Sequence, residues 1–292
     1  MSHLLSDRLS RPSAVEPGIK WAFLAALALA AVLGVASPLA ARQAQPKTTY
    51  ISVVDSHGLP VPELRMADVT VTEDGRTRQV LRVERATEPM KIAVVLDEWG
   101  LGRGEVRQSL NFFISAMRDK ADIGLFSASR PDRTLSDFTR DGHALTRAIQ
   151  NLVTMRGAYS YDLDTLTYDL ARQFLAQETP RPIIVALVGA GDGDTNPARI
   201  VEEVLRSRTT LFAIAGRDHA RVVDVGAEAS GGRVEMLIIP AGIPAAMRQM
   251  TDEILGQYAL TYSAPTEPKD GSRLRVEVSR PGVTVRAPAR VY

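Results

Sequence analysis

The sequence contains no cysteine among its 292 residues. No disulfide can therefore stabilise the fold, no thiolate can act as a nucleophile or metal ligand, and no cysteine is available for lipid attachment. Stability must come from a hydrophobic core. A hydrophobic content of 45% with 24% charged residues is that of an ordinary globular protein, which can build such a core.

Recognisable catalytic patterns are also missing. The sequence has no G-x-S-x-G elbow and no S-x-x-K pair. The four histidines, His3, His57, His143 and His219, stand apart from one another and from any partner at metal-ligand spacing, so we expect surface or loop residues rather than ligands. The sequence thus predicts a protein that is not an enzyme. The alternative, an exported hydrolase, has no motif in its favour.

A strong excess of charge of either sign is absent as well. The chain has 35 basic and 34 acidic side chains, and leaving out the three and two in residues 1–41 gives 32 of each. A neutral chain with interspersed charges offers no basic stripe for a phosphate backbone, so the sequence predicts no nucleic-acid partner.

The longest uncharged run lies near the N-terminus, at residues 21–41, and is preceded by Lys20. A basic residue, an apolar stretch and then small residues are typical of a secretory signal. The run of 21 residues could also just span a bilayer, which takes about 20. Residues 1–41 are therefore a signal peptide or an N-terminal membrane anchor. Both predict an exported chain in the periplasm, cell envelope or medium, with membrane contact only if the segment is uncleaved.

Two β-rich segments are predicted, at residues 48–88 and 258–292. In the first, runs of alternating polarity flank Asp74-Gly75, a strong hairpin signal. In the second, strict alternation over residues 274–278 follows a turn at Lys269-Asp270-Gly271. We expect the two segments to pair into one small sandwich or sheet.

Residues 89–257 between them predict an α/β domain. Five short apolar runs alternate with segments of helical periodicity, which is typical of a mostly parallel sheet with helices on both faces. These runs, expected to be strands buried on both faces, are residues 92–96, 123–127, 183–188, 211–215 and 234–239. The last helix is expected over residues 244–257.

These features resemble the von Willebrand factor type A superfamily, and more narrowly a group of secreted bacterial proteins of the acidobacterial type with β segments flanking such a domain. The similarity is carried by Val-Val-Asp-Ser-His-Gly-Leu-Pro-Val at residues 53–61, Asp-Val-Thr-Val-Thr-Glu-Asp-Gly at 68–75, Ile-Ala-Val-Val-Leu-Asp at 92–97, and the tail at 258–292. It covers nearly the whole predicted exported chain. The resemblance implies a Rossmann-like type A domain.

The resemblance also implies where a site would lie, because type A domains often bind a divalent cation above the carboxyl ends of the strands. The family pattern is Asp-x-Ser-x-Ser after the first strand, with a threonine and an aspartate from later loops. Asp97 matches the first aspartate, but Trp99 and Leu101 replace the two serines. Ala158 and Ala190 fall where the threonine and the second aspartate belong. The resemblance therefore predicts a degenerate metal site and no cofactor.

Two interpretations of this face remain. In the first, it binds a protein partner of unknown identity without a cation, through residues that surround the degenerate site: Asp97, Glu98, Trp99, Leu101, Arg103, Tyr159 and Tyr161. In the second, a shifted register restores Mg²⁺ or Ca²⁺ binding through Asp97 with Ser160 and Asp192 or Asp194. A third possibility concerns Asp97 alone, as an acid that bonds loop amides and touches no ligand.

Overall fold

A computed structural model describes residues 46–97, 103–129, 134–152, 163–189, 197–217, 219 and 221–292. Residues 44–292 form one compact unit. The predicted signal or anchor at residues 1–41 lies outside the described residues and stays a prediction. Within the part of the chain that the structure describes, no helix is both long and apolar enough to cross a membrane.

The described residues contain fourteen strands and six α-helices, numbered in chain order. The strands are β1 Pro46–Val54, β2 Val69–Glu73, β3 Arg76–Arg78, β4 Val80–Arg85, β5 Met90–Leu96, β6 Ala121–Ser127, β7 Thr134–Thr139, β8 Pro182–Val188, β9 Thr210–Ala215, β10 Arg233–Met236, β11 Tyr258–Ser263, β12 Ser272–Val278, β13 Thr284–Arg286 and β14 Arg290–Val291. The helices are α1 Arg103–Ala116, α2 Gly142–Gln150, α3 Leu163–Ala176, α4 Pro197–Arg206, α5 Arg221–Ser230 and α6 Ile243–Leu255. Short 3₁₀ helices occupy Met66–Asp68 and Pro240–Gly242.

The central element is a six-stranded sheet with the order β10-β9-β8-β5-β6-β7. All neighbours are parallel except β7, which is antiparallel to β6. Alternate residues of β5 face opposite sides: Val94 packs in a core with α1, α2 and α6, and Val95 in a core with α3, α4 and α5. Because both faces are covered, β5, β8 and β9 are almost entirely apolar and buried. The predicted fold class is confirmed.

Two strands differ from the sequence expectation. The predicted strand at residues 234–239 ends at Met236, and Ile238 and Ile239 are exposed rather than buried on both faces. The observed strand is shorter than predicted because β10 is an edge strand, paired only with β9 among the described residues, and the chain bends away after it. The antiparallel strand β7 was not predicted, because its residues, Thr-Leu-Ser-Asp-Phe-Thr, lack a continuous apolar run.

Both flanking segments build a β-rich part with two four-stranded sheets, β13-β1-β11-β4 and β14-β12-β2-β3. Strands from the two ends of the chain pair directly, β1 with β11 and β2 with β12, both antiparallel. The inner faces share one core, which includes Ile51, Val71 and Leu260. Asp74 and Gly75 both have positive φ at the predicted hairpin turn between β2 and β3. The expected pairing of the two flanks is thus present.

A buried arginine joins the β-rich part to the α/β part. Arg181, just before β8, donates hydrogen bonds from Nη2 to the carbonyl of Ile254 at 2.7 Å and to Oε1 of Gln257 at 2.8 Å. Its guanidinium lies 5.3 Å from the ring centre of Tyr50 on β1. Burial lowers the pKa of Arg181 to about 10, and burial together with the nearby Glu88 charge raises the pKa of Tyr50 to about 12. Arg181 therefore remains charged near neutral pH at the junction.

Candidate functional site at the carboxyl ends of the strands

The parallel strands β5, β6, β8, β9 and β10 all end at one edge of the sheet, which we call the strand-end face. In open α/β sheets ligands bind outside this edge. The described residues that follow these strands include Asp97 after β5, Ser129 after β6, Gly189 after β8 and Gly216 after β9. The strand-end face is therefore the place to look for a site.

Asp97 links three strand ends. Its Oδ1 accepts a hydrogen bond from Oγ of Ser129 at 2.9 Å, and its Oδ2 accepts one from the backbone amide of Gly189 at 3.0 Å. Its own amide donates to the carbonyl of Leu187 on β8 at 2.8 Å. The residue is 1% exposed. A buried carboxylate needs such donors, so these contacts fix the loops after β5, β6 and β8 against one another.

Two glycines bring the next loops together. The amide of Gly216 donates to the carbonyl of Val188 at 2.8 Å, and a Cβ added at Gly216 would lie 2.1 Å from the carbonyl oxygen of Gly189. No side chain fits between backbones at that separation, so residue 216 must be glycine for the two loops to keep this approach. The polar contacts that begin at Ser129 therefore continue to the end of β9.

His219 continues this row of contacts. It lies in a loop, as expected, but its side chain is only 3% exposed. Nδ1 is 2.6 Å from the carbonyl oxygen of Gly216, and Nε2 is 2.9 Å from Oδ1 of Asp224 on α5. The imidazole thus ties the loop after β9 to the first turn of α5. Sequence spacing could not reveal this, because the contacts depend on how the loop turns.

Few of the predicted site residues lie in the described part of the chain. Asp97 is on the strand-end face, and Arg103 is the first residue of α1. The remaining ones, Glu98, Trp99, Leu101, Tyr159, Ser160, Tyr161, Asp192 and Asp194, lie outside the described residues. Their predicted roles are untested. Ser129 was missed; its only sequence signal is the Ser-Ala-Ser at residues 127–129, where an apolar strand ends.

The described residues do not make a cation site by themselves. Among them, no group of three or more His, Asp or Glu side chains could hold a metal ion. At Asp97 they bring together one carboxylate and the hydroxyl of Ser129, whereas hard cations such as Mg²⁺ and Ca²⁺ take six or more oxygens. A cation here would need water and oxygens from residues such as Ser160, Asp192 or Asp194.

The side of the strand-end face next to β10 is apolar and exposed. Met236, Ile238 and Ile239 have exposed fractions of 57%, 75% and 62%. Arg217, two residues beyond the end of β9, is also exposed. Because Ala215 is paired with Met236, Arg217 follows β9 as Ile238 follows β10. An exposed basic side chain therefore accompanies the apolar ones.

No protein-family model and no curated protein matches this sequence. Several solved structures are similar to this chain. One is a von Willebrand factor type A protein from Catenulispora acidiphila, at 12% identity and a TM-score of 0.48, covering 83% of this chain and 72% of that one. Another is the conserved hypothetical protein BatB from Bacteroides thetaiotaomicron, at 9% identity and a TM-score of 0.46, covering 57% and 99%.

A third similar structure is proximal thread matrix protein 1 from the mussel byssus, at 10% identity and a TM-score of 0.49. The match covers 60% of this chain and 50% of that one, so this chain spans about half the length of the mussel protein.

The class of the protein follows from the sheet. Helices on both faces of a parallel sheet with one antiparallel edge strand give the described residues between 90 and 255 the α/β architecture predicted from the sequence. The chain combines this α/β part with a β-rich part built from both of its flanks. At identities of 9–12% and TM-scores below 0.5, the solved structures are likenesses only.

Proposed function

We propose that this chain is an exported, non-enzymatic type A protein that binds another protein through its strand-end face without requiring a cation. The proposed surface comprises residues 97–103, 159–161 and 191–196. The observation that carries the proposal is the position of Asp97. The acid that would begin a cation site is buried, and both of its oxygens accept hydrogen bonds from neighbouring loops.

A structural role for Asp97 explains why the acid persists where the surrounding hydroxyls of the family pattern are replaced. Without a carboxylate there, the amide of Gly189 and the hydroxyl of Ser129 would each lose an acceptor. Trp99, two residues further along the sequence, is of a residue type enriched among binding hot spots. A protein partner suits a sequence with a tryptophan at this position better than a small polar ligand does.

The second candidate function is metal-dependent adhesion, with Asp97, Ser160 and Asp192 or Asp194 as ligands of Mg²⁺ or Ca²⁺. One observation favours it: Oγ of Ser129 lies 2.9 Å from the Asp97 carboxylate, so a hydroxyl and a carboxylate oxygen are already adjacent. Each is an oxygen ligand of the kind these cations take.

Thermal melts separate the two functions. A ligand present at 100 times its Kd stabilises a protein by about 2.7 kcal/mol, which raises the Tm of a chain this size by about 5 to 11 °C. We expect millimolar Mg²⁺, Ca²⁺ or Mn²⁺ to leave the Tm unchanged. A rise that is lost in Asp97→Asn and kept in Asp252→Asn, an exposed acid on α6, would establish the cation-dependent function instead.

Export and the absence of catalysis need separate tests. Export is supported by the apolar run at residues 21–41. Cell fractionation with N-terminal sequencing of the recovered protein gives its compartment and shows whether the run is removed. Hydrolase screens on ester, peptide and glycoside substrates address catalysis, and turnover that survives purification to homogeneity would contradict a binding role.

A further inference from the structure

We propose that the outer edge of β10 and the residues after it bind an extended, acidic and apolar segment of a protein partner, which adds a strand to the central sheet. We call this surface the edge strip and define it as Val234, Met236, Ile238 and Ile239. The inference goes beyond the proposed function because it uses none of the residues at 97–103, 159–161 or 191–196.

The backbone of β10 has a side on which no strand is paired among the described residues. β10 is the outermost strand and pairs only with β9. The amide of Leu237 donates to the carbonyl of Ala215 at the end of β9. Since successive residues of a strand direct their amides to opposite sides, those of Val234 and Met236 point away from β9. Such an edge is a template for another strand.

Three side chains of the edge strip, those of Met236, Ile238 and Ile239, form the most exposed apolar group among the described residues, whereas Val234 is partly buried against the core. Other large exposed apolar residues, such as Leu59, Leu81 and Phe112, are single and at most about half exposed. In the edge strip, three such residues stand within four positions, and Ile238 is 75% exposed. Contiguous exposed apolar surface marks an interaction site, whereas single residues do not. Natural edge strands are commonly protected by charge. β10 carries Arg233 and Glu235, but they pair with each other, and the three apolar residues from Met236 onward carry no charge.

Neighbouring charges select the chemistry of the partner. Arg217 and Arg221, on the loop after β9 and at the start of α5, are exposed and make no ion pair with a described residue. The acids near them among the described residues do have partners. Glu235 pairs with Arg233 at 2.8 Å, and Oδ1 of Asp224 is 2.9 Å from Nε2 of His219. Within the described part of the chain, the charged side chains beside the edge strip that lack an ion-pair partner are therefore the two arginines, and they favour a partner with carboxylates at this end.

Strand addition explains how these parts act together. An added strand gains main-chain hydrogen bonds from the edge and specificity from alternate side chains. Alternate apolar residues would contact Met236 and Ile238, while one or two Asp or Glu residues at one end would reach Arg217 and Arg221. The surface thus fits an extended segment of about five residues with an acidic end.

Fluorescence anisotropy with defined peptides tests the inference on the full chain as exported. The probes are fluorescein-labelled peptides of alternating valine and threonine that end in Asp-Asp or in Lys-Lys. We expect the Asp-Asp peptide to bind at least tenfold more tightly than the Lys-Lys peptide. Ile238→Asp should weaken its binding at least tenfold, and N-methylation of alternate peptide amides should abolish it. Leu81→Asp, on the edge strand β4 of another sheet, is the matched control and should change nothing.

Charge reversal distinguishes directed recognition from general stickiness. The variant with Arg217→Glu and Arg221→Glu should lose the Asp-Asp peptide and gain the Lys-Lys peptide. Equal binding of both peptides by the native chain, or no binding of either, overturns the inference.

Two further results would overturn the inference and assign the edge strip to a different partner. A dimer in sedimentation that becomes a monomer in Ile238→Asp would assign the edge strip to a second copy of the chain. Loss of binding to phosphatidylglycerol vesicles in that variant, with peptide binding unchanged, would assign it to a membrane surface. None of these outcomes involves Asp97 or a cation, so failure here is distinguishable from failure of the proposed function.

Discussion

Glu253, on α6, offers the sharpest test of how the α/β part and the β-rich part are held together. Its side chain is 1% exposed and lies between two arginines. Oε1 accepts a hydrogen bond from Nη1 of Arg286 on β13 at 2.9 Å, and Oε2 lies 3.0 Å from Nε of Arg233 on β10. One buried carboxylate thus connects a helix and a strand of the central domain with a strand of the β-rich part.

The expected loss of stability in Glu253→Ala follows from the arginine charges that the substitution leaves without this carboxylate. Arg286, with a side chain 23% exposed, would lose its counter-charge, and Arg233, 12% exposed, would keep only its pair with Glu235. Removing one partner from a buried ion pair costs about 3 to 5 kcal/mol. At about 2 to 4 °C per kcal/mol for a chain this size, the Tm should fall by about 6 to 20 °C. Glu253→Gln keeps the shape and one acceptor, so its loss should be smaller, about 1 to 3 kcal/mol.

Urea unfolding followed by circular dichroism gives the free energies, and calorimetry gives the Tm. The control is Glu277→Ala, which breaks an ion pair with Arg275 at 2.6 Å whose side chains are 74% and 56% exposed. Surface pairs of this kind contribute at most about 1 kcal/mol. If Glu253→Ala destabilised the protein no more than Glu277→Ala does, the junction would not depend on this carboxylate.

Three further predictions use matched positions. The Tyr262 hydroxyl is buried without a hydrogen-bond partner among the described residues, whereas that of Tyr258 donates to the carbonyl of Val61 at 2.8 Å. In urea unfolding, the free energy of unfolding of Tyr262→Phe should therefore be unchanged or up to about 1 kcal/mol higher, and that of Tyr258→Phe about 1 kcal/mol lower. Equal losses in the two variants would contradict this. Gly216→Ala should lower the free energy of unfolding by about 1 to 3 kcal/mol in the same measurement, because the added Cβ would meet a backbone carbonyl at 2.1 Å. Gly142→Ala is the control and should leave it unchanged, because the Cβ added there would meet nothing within 4 Å. Hydrogen bonds from Arg65 and Arg280 hold the pKa of Asp68 below its usual range in the folded protein. The contribution of its carboxylate to the free energy of unfolding is therefore complete above the unfolded pKa of about 3.9, and it is lost as the pH falls through the folded pKa. The stability difference between the native chain and Asp68→Asn should therefore be largest above about pH 5 and shrink in more acidic solution, and a constant difference would rule out this linkage.

The central strands were predictable because burial on two faces imposes its own composition. A run such as residues 183–188 has no polar position, and only a strand covered on both sides by helices accommodates it. The hairpin at Asp74-Gly75 was predictable for a different reason, since positive φ at two consecutive residues restricts the choice of side chain.

The two strands that the sequence did not predict correctly, β7 and β10, are the edge strands of the same sheet. β7 has too few apolar residues to be recognised, because an edge strand needs little burial. At β10 the apolar pattern continues past the strand, so composition alone suggested a longer buried element than the structure contains. An apolar run cannot distinguish a buried strand from an exposed strip, because the difference depends on what packs against it.

Less of the candidate site could be predicted. Asp97 was found from its position after a strand, and its contact with the amide of Gly189 is of the kind expected for an acid that bonds loop amides. The hydroxyl of Ser129 and the imidazole of His219 reach their partners through loop geometry across 32 and 5 residues of sequence. No local pattern encodes such contacts.

The direction of β1 has a mechanical consequence. β1 begins at Pro46, which is paired with Ser263 at the end of β11, and runs towards the α/β part. Because α6 leads directly into β11 and Pro46 is paired with the last residue of β11, Pro46 lies at the end of the β1–β11 pair that is remote from α6. Tension between a partner on the strand-end face and the chain preceding Pro46 would run lengthwise along β1. It would load all the hydrogen bonds to β11 and β13 in shear at once, rather than opening them one at a time.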